Sequence, residues 1–531
     1  MPRVLRRRAR IGIVVALGLA LGIGAAPAAP VASADTLAAS ISSTPSGQPL
    51  PSGFLGVSLE FPALQQYTGR DTRAVDPVLV ALLKGLAPGA APSVRVGGNS
   101  TDATWWPVRG VVPPGGTYYR LTGGWLRSTR ALAADLGTRL ILGINLAAGR
   151  PAIAAAEGRA FTTGIGRRYI RAFEIGNEPD LYGVFPWYRD RRGHLHRARS
   201  RRYGPSDYSN EFTQWSRTLP RGITLAGPGV SGPSWMSKLG KLIGSQPRLG
   251  LVSYHRYPLR ACTTDTTQAS FPTIPHLLTD SSSSVLAAGL APFVSVTHRR
   301  HLPFRLTEIN TASCEGAAGV SDTFASALWA LDTMFNMAKA GVDGVNFHML
   351  PGSHYELFST SRGSGGAWQA FVHPEYYGLY MFAQAFPPAA QLLPVTTPSG
   401  PVKVWATQGS DGAVRVTLIN QDAASDHTVS LQIPGNPATA SLESLTAPSL
   451  DATTGVTLGG QTFGPTTTTG TLPAGPAGTT VLPSGGVYSV DVPAASAALL
   501  STSAPAPPAT GPSGGAGGGG GLPLTAHARR G

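Results

Sequence analysis

Eight short apolar runs, each followed by room for a helix, constrain the fold of this chain more than anything else in it. They span residues 54–61, 93–98, 139–146, 171–178, 224–229, 250–258, 304–310 and 341–350. Between them lie helical stretches such as 126–136 and 322–340. Strand alternating with helix eight times over about 300 residues predicts an α/β chain folded as a parallel (β/α)8 barrel wrapped by helices. An open doubly wound sheet has the same alternation. However, no Gly-x-Gly-x-x-Gly follows the first run, so nothing supports a bound nucleotide.

The texture changes near residue 386. Runs at 402–407, 413–419, 427–433, 439–445 and 487–492 alternate apolar and polar residues, with turn residues between them. Val402, Trp405, Val414, Val416 and Leu418 mark half-buried antiparallel strands, which predicts a β-sandwich of about 110–120 residues after the barrel. The expected organisation is therefore a leader over 1–34, a segment over 35–49 that joins the sandwich, the barrel over 50–385, the sandwich over 386–500 and an Ala/Pro/Gly-rich tail over 501–531.

The leader has five arginines (Arg3, Arg6, Arg7, Arg8 and Arg10), then the apolar stretch 11–24, then Ala32-Ser33-Ala34. That order is a secretory signal, and cleavage after Ala34 predicts an extracellular protein with no stable membrane insertion. In the tail, residues 522–526 resemble a cell-wall sorting motif but lack the apolar segment such motifs need, so wall association has little support. Subtracting the five leader arginines from the formal charge of +14 leaves +9. Arginine far exceeds lysine, which fits a biased composition as well as an acidic partner, and no nucleic-acid-binding motif accompanies the charge. Cys262 and Cys314 each follow a predicted neighbouring strand, so in an exported chain they are expected to form a disulfide.

The chemistry is expected at the C-terminal ends of the barrel strands. The chain has only ten glutamates, and Glu178 and Glu308 close the fourth and seventh runs. A single strand-end glutamate reads as a salt bridge or a helix cap. Two facing one cavity are the minimum for cleaving a glycosidic bond: one protonates the leaving oxygen, the other attacks the sugar carbon. Along the seventh run Phe304, Leu306 and Glu308 share a face by alternation, which sets the carboxylate atop the lumen-facing row.

Arg95-Val96-Gly97-Gly98-Asn99-Ser100-Thr101-Asp102, residues 174–180 with Asn177-Glu178, and residues 306–310 together resemble glycoside hydrolase family 79 of clan A. That family holds β-glucuronidases and heparanase-like enzymes, and the likeness runs from about residue 42 to 500. The resemblance implies a retaining hydrolase with Glu178 as acid/base and Glu308 as nucleophile, their carboxyls about 5–5.5 Å apart. It needs no cofactor and no metal. Its substrate would be a carbohydrate, a glucuronide or an acidic polysaccharide. His255, Tyr257 and Arg95 are expected to support Glu308, and Asn177 to meet the sugar 2-hydroxyl. Glu60, Asn99, Asp102, Asn145, His348, His354 and Tyr355 are further rim candidates. Trp105 and Trp106 are candidates for stacking on a sugar, and Glu174 is expected deeper.

Two features bear on the substrate. The loop 311–316 has no tyrosine, and Glu315, turned inward, would repel a uronate. Residues 189–202 hold seven arginines, His194 and His196 against Asp190, which reads either as a wall for an acidic glycan or as a solvated loop. The alternatives are another clan A activity, β-xylosidase or α-arabinofuranosidase-like, and a catalytically silent carbohydrate-binding surface protein.

Overall fold

The computed structural model describes residues 36–397, 400–473 and 478–503. The leader over 1–34 and the tail from 504, with its 522–526 motif, lie outside the described residues. Eight parallel strands form a closed barrel: β1 (Leu55–Glu60), β2 (Ser93–Gly97), β3 (Leu140–Ile144), β4 (Ile170–Ile175), β5 (Thr224–Val230), β6 (Leu249–Arg256), β7 (Phe304–Ile309) and β8 (Gly344–Met349). Each pairs with its successor in parallel, and β8 pairs with β1 to close the ring.

The strands read as apolar because their outer faces pack on the helices. In β1, Leu55, Val57 and Leu59 join the large core, while Ser58 and Glu60 take the other face. The lumen is mostly polar. Near the N-terminal ends of β3 to β6, Ile141, Ala172, Ala226 and Leu251 form a small apolar plug. Across from it Arg305 donates to Asn346 and to the carbonyls of Gly53 and Phe54.

The face of β7 differs from simple alternation. Leu306 pairs with Tyr254 but Glu308 pairs with His255, so β7 carries one residue more than β6, and its ladder with β8 also skips there. This is a β-bulge, a device that re-aims a side chain beside a site. Phe304 and Leu306 pack outward in the main core, whereas Arg305 and Thr307 face the lumen. The bulge then turns Glu308 inward beside Thr307.

Two further sheets, the larger antiparallel and the smaller mixed, enclose a separate core of Val402, Val416, Leu418, Val429, Leu431, Val490 and their neighbours. The strand Thr36–Ile41, which precedes the barrel, pairs in parallel with His427–Gln432 of the smaller sheet. The strand Ser496–Thr502 pairs with both Val414–Asn420 and Ala440–Thr446 in the larger sheet. That sheet docks on the barrel helix Phe324–Lys339: Trp405 stacks on Phe335 at 5.3 Å and donates to Asp332 at 3.0 Å. Lys403 bridges Asp332 and Asp280, each at 2.9 Å.

Candidate active site

Arg95, fully buried on β2, organises the lumen. Its Nε donates to Glu174 at 2.6 Å, one terminal nitrogen to Ser58 at 2.9 Å and Glu308 at 2.7 Å, and the other to Asn177 at 2.8 Å. Burial works against its charge, but the Glu174 and Glu308 carboxylates outweigh it and hold the guanidinium above its ordinary value. Glu174, fully buried, also accepts from Thr307 at 2.8 Å. Burial would raise its carboxyl, yet Arg95 holds it below the usual range, so two anions share one cation.

Glu308 is 7% exposed. Beyond Arg95 it accepts from the Tyr257 hydroxyl at 2.8 Å, and the Nδ1 atoms of His348 and His255 lie 3.7 and 3.9 Å from its Oε2. Burial pushes this carboxyl up, but His348, His255, Arg95 and the Tyr257 hydrogen bond hold it well below the ordinary carboxylate value. It is built to stay ionised.

Glu178 stands beyond its strand. β4 ends at Ile175, and Glu178 sits in the left-handed region at φ 47°, fixed by its N–H donating to the Gly229 carbonyl at 2.8 Å. Pro179, next in the chain, opens a short 3-10 turn. A non-glycine residue there carries backbone strain, which structures retain mainly at functional sites. Its side chain meets His255 Nδ1 at 3.2 Å. Burial raises the Glu178 carboxyl; the His255 contact opposes this, and the nearby Glu308 and Asp180 charges add to it. The net direction is up, opposite to Glu308. One oxygen of each carboxyl and His255 Nδ1 lie within 4.8 Å of one another.

Those three donors are the one such His/Cys/Asp/Glu cluster among the described residues. The donor types suit a transition metal, but the Arg95 cation 2.7 Å from Glu308 opposes a second cation there.

The remaining candidates divide. Glu60 turns to its own rim: its two oxygens accept the N–H groups of Asn99 and Ser100 at 2.9 and 2.8 Å, capping the turn Asn99–Thr101. Gly98, at φ 74°, permits this, since a Cβ there would overlap the Glu60 carboxylate. Asn99 and Asn177 join through their side-chain amides at 3.3 Å. His348 lies between Glu60 and Glu308, and both charges raise its pKa against the effect of burial. Tyr355 packs against Tyr257 and His348 at ring distances of 6.4 and 5.9 Å.

Others fasten loops instead. Asp102 accepts from the Tyr182 hydroxyl at 2.5 Å and from the N–H groups of Leu146 and Ala147. Asn145 donates to the carbonyls of Asp102 and Thr104. His354 is half exposed and faces Asp322 at 3.6 Å. Trp105 is buried, whereas Trp106 is partly exposed and packs on the main core. Glu315 is exposed at the rim, at φ 67°. Cys262 and Cys314 join as a disulfide between the loops after β6 and β7, Cα atoms 5.7 Å apart. Of the arginine-rich segment, Arg199 is tied to Glu211, Leu146 and Ala147, and the others stand exposed. Sequence reasoning passed over Ser58, Ser253 and Thr307, whose burial in strand runs disguises them as ordinary core.

Residues 404–499 match the sequence profile of the glycosyl hydrolase family 79 C-terminal beta domain. A β-glucuronidase of Aspergillus niger is 24% identical over 405 residues, 69% of this chain and 71% of that protein. A β-glucuronidase of Neurospora crassa is 23% identical over 428 residues, 72% of this chain and 74% of that one. Among solved structures, a 4-O-α-L-rhamnosyl-β-D-glucuronidase from Fusarium oxysporum superposes with a TM-score of 0.71 at 21% identity, covering 87% of this chain and all of that one. A family 51 arabinofuranosidase from Xanthomonas axonopodis pv. citri gives 0.64 at 17% identity, covering 88% and 99%. These likenesses span the barrel as well as the β domain.

Proposed function

For this chain, a clan A glycoside hydrolase of the family 79 type, we propose a retaining double displacement on β-glucuronides, with Glu308 as nucleophile and Glu178 as acid/base. The supporting observation is the pair of carboxyls within 4.8 Å, one held ionised and the other favoured protonated. That separation belongs with the short spacing of retaining enzymes, since an inverting pair leaves about 6.5–9.5 Å for a water molecule.

In the first step Glu308 attacks the anomeric carbon while Glu178 gives its proton to the departing oxygen. The Glu308–sugar ester is neutral, so one of the charges that add to the burial of Glu178 in raising it disappears. The Glu178 carboxyl falls in pKa and becomes the base that activates water in the second step. Arg95, Tyr257 and His348 stabilise Glu308 as the leaving group of that step. Asn177, oriented by Arg95, is suited to the sugar 2-hydroxyl. We further read the protein as exported, on the basic and apolar order of residues 1–34. Among the described residues no helix is long and apolar enough to cross a membrane.

The test is kinetic. Glu308→Gln and Glu178→Ala should each lower kcat by about 10²–10⁴-fold or more. Azide should restore turnover to Glu178→Ala on aryl glycosides whose leaving group needs no proton. Retained activity in either variant ends the assignment. A β-xyloside or α-arabinofuranoside activity is the second reading, favoured by the rim loop that bears Glu315 and no tyrosine. Parallel assays on the three aryl glycosides separate the two.

A further inference from the structure

Seven large apolar side chains stand well exposed among the described residues, and five belong to two loops at one side of the barrel mouth. Val112 and Tyr118 follow β2, at 78% and 76% exposure; Val184, Phe185 and Leu195 follow β4, at 56%, 58% and 55%. Scattered exposed apolar residues are ordinary, but concentration in one place marks a binding surface.

The two loops form one body. Gly115 and Gly116 approach Tyr188 and Trp187 so closely that a Cβ on either would overlap the phenol or the indole. Tyr188 stacks on His196 at 4.7 Å and meets Trp187 edge-on at 5.4 Å. The Trp187 N–H donates to the His196 carbonyl at 2.7 Å, closing the hairpin from which Leu195 projects. Tyr118 is fixed as well, since its N–H and that of Tyr119 both donate to the Ala103 carbonyl.

The direction of the reaction identifies what this surface faces. A proton donor must reach the glycosidic oxygen, so the aglycone leaves on the side of Glu178. From Glu178 the chain turns at once into the apolar tip: the Leu181 N–H donates to the Glu178 carbonyl, and the N–H groups of Val184 and Phe185 donate to the Leu181 carbonyl. We propose that these two loops form an aglycone platform, and that the natural substrate is a glycoside with a bulky apolar aglycone. The proposal rests on the reading of Glu178 as proton donor. The arginines of the same hairpin border the platform; Arg191 and Arg192 at its tip are exposed.

Methyl and hexyl β-glucuronides test it, because their leaving groups are matched in acidity and differ only in apolar length. Each buried methylene is worth about fourfold in binding. The hexyl-to-methyl ratio of kcat/KM should exceed about tenfold in the wild-type protein, carried by KM. It should fall about tenfold in Val184→Ser/Phe185→Ser. Leu482→Ser, on the β domain and 66% exposed, should leave the ratio unchanged. A wild-type ratio near one, or a ratio unmoved in the double variant, overturns the proposal. So does a preference for acidic oligosaccharides that Arg191→Ser/Arg192→Ser abolishes, which would assign the face to polyanions. If neither alkyl glycoside is cleaved, the glucuronidase reading fails by itself. Calorimetric affinities of the two glycosides for Glu308→Gln protein then decide the platform on the same ratio.

Discussion

A buried guanidinium shared by two carboxylates makes Arg95 the residue on which the site's electrostatics turn. Removing one partner of such a group leaves an uncompensated buried charge, at a cost of about 3–5 kcal/mol. Tyr257 offers a finer probe because its hydrogen bond lowers the Glu308 carboxyl. Tyr257→Phe removes a bond to a charged group, worth about 1.5–3 kcal/mol. The Glu308 carboxyl then rises, so the acid limb of kcat/KM should move to higher pH while the rate falls by about tenfold or more; an unmoved limb contradicts the account. Glu375, in the first turn of the helix Pro374–Ala385, presents the opposite case. Burial pushes its carboxyl well up, outweighing the opposing contact with the Asn310 side chain. A raised group stabilises the fold fully below its unfolded value of about 4.3, and loses about 1.4 kcal/mol per pH unit as pH climbs towards the folded value. Glu375→Gln should therefore flatten the fall of Tm as pH rises above about 4.3. Parallel Tm profiles for variant and wild type would count against it.

At the scale of elements, the bulge in β7 does what the residue pattern alone could not disclose. Phe304 to Ile309 is buried on both faces, so alternation carried no contrast from which to read the phase, and the simple reading put Phe304 and Leu306 in the lumen. Thr307 is the extra residue, and its hydroxyl spans the lumen to Glu174. Thr307→Val keeps the volume and leaves one Glu174 oxygen short of a donor, so stability should drop by about 1–3 kcal/mol, read as a fall in the denaturation midpoint. An unchanged midpoint would mean that the hydroxyl contributes nothing there. The eight strands themselves were readable because each is a compact apolar run between turn residues. Asn177, His255, Tyr257 and Glu308 converge because all stand at the C-terminal ends of such runs, and Arg95, in the middle of β2, bonds Asn177 and Glu308. Glu60 stands at a similar end yet caps its neighbour's turn, and Asp102 and Asn145 fasten loops. Those differences depend on where a polar side chain finds donors, which sequence position does not encode.

Across the whole molecule, the β domain takes in a strand that precedes the barrel and three that follow it between residues 391 and 408. Its larger sheet docks on the helix Phe324–Lys339, where Trp405 and Lys403 reach Asp332, and on the helix Pro374–Ala385, where the Thr407 hydroxyl donates to the Ala385 carbonyl. The first and last strands of the described chain therefore both belong to the β domain. Composition read correctly that two texturally distinct parts follow one another; the contact between them joins residues far apart in sequence and left no local signature. Glu178 and Glu308 are proposed to act on one anomeric centre in opposite roles. Proton NMR of the first sugar released from an aryl β-glucuronide tests this most directly. The β anomer, appearing before mutarotation, is the predicted result; an α anomer formed first would contradict it.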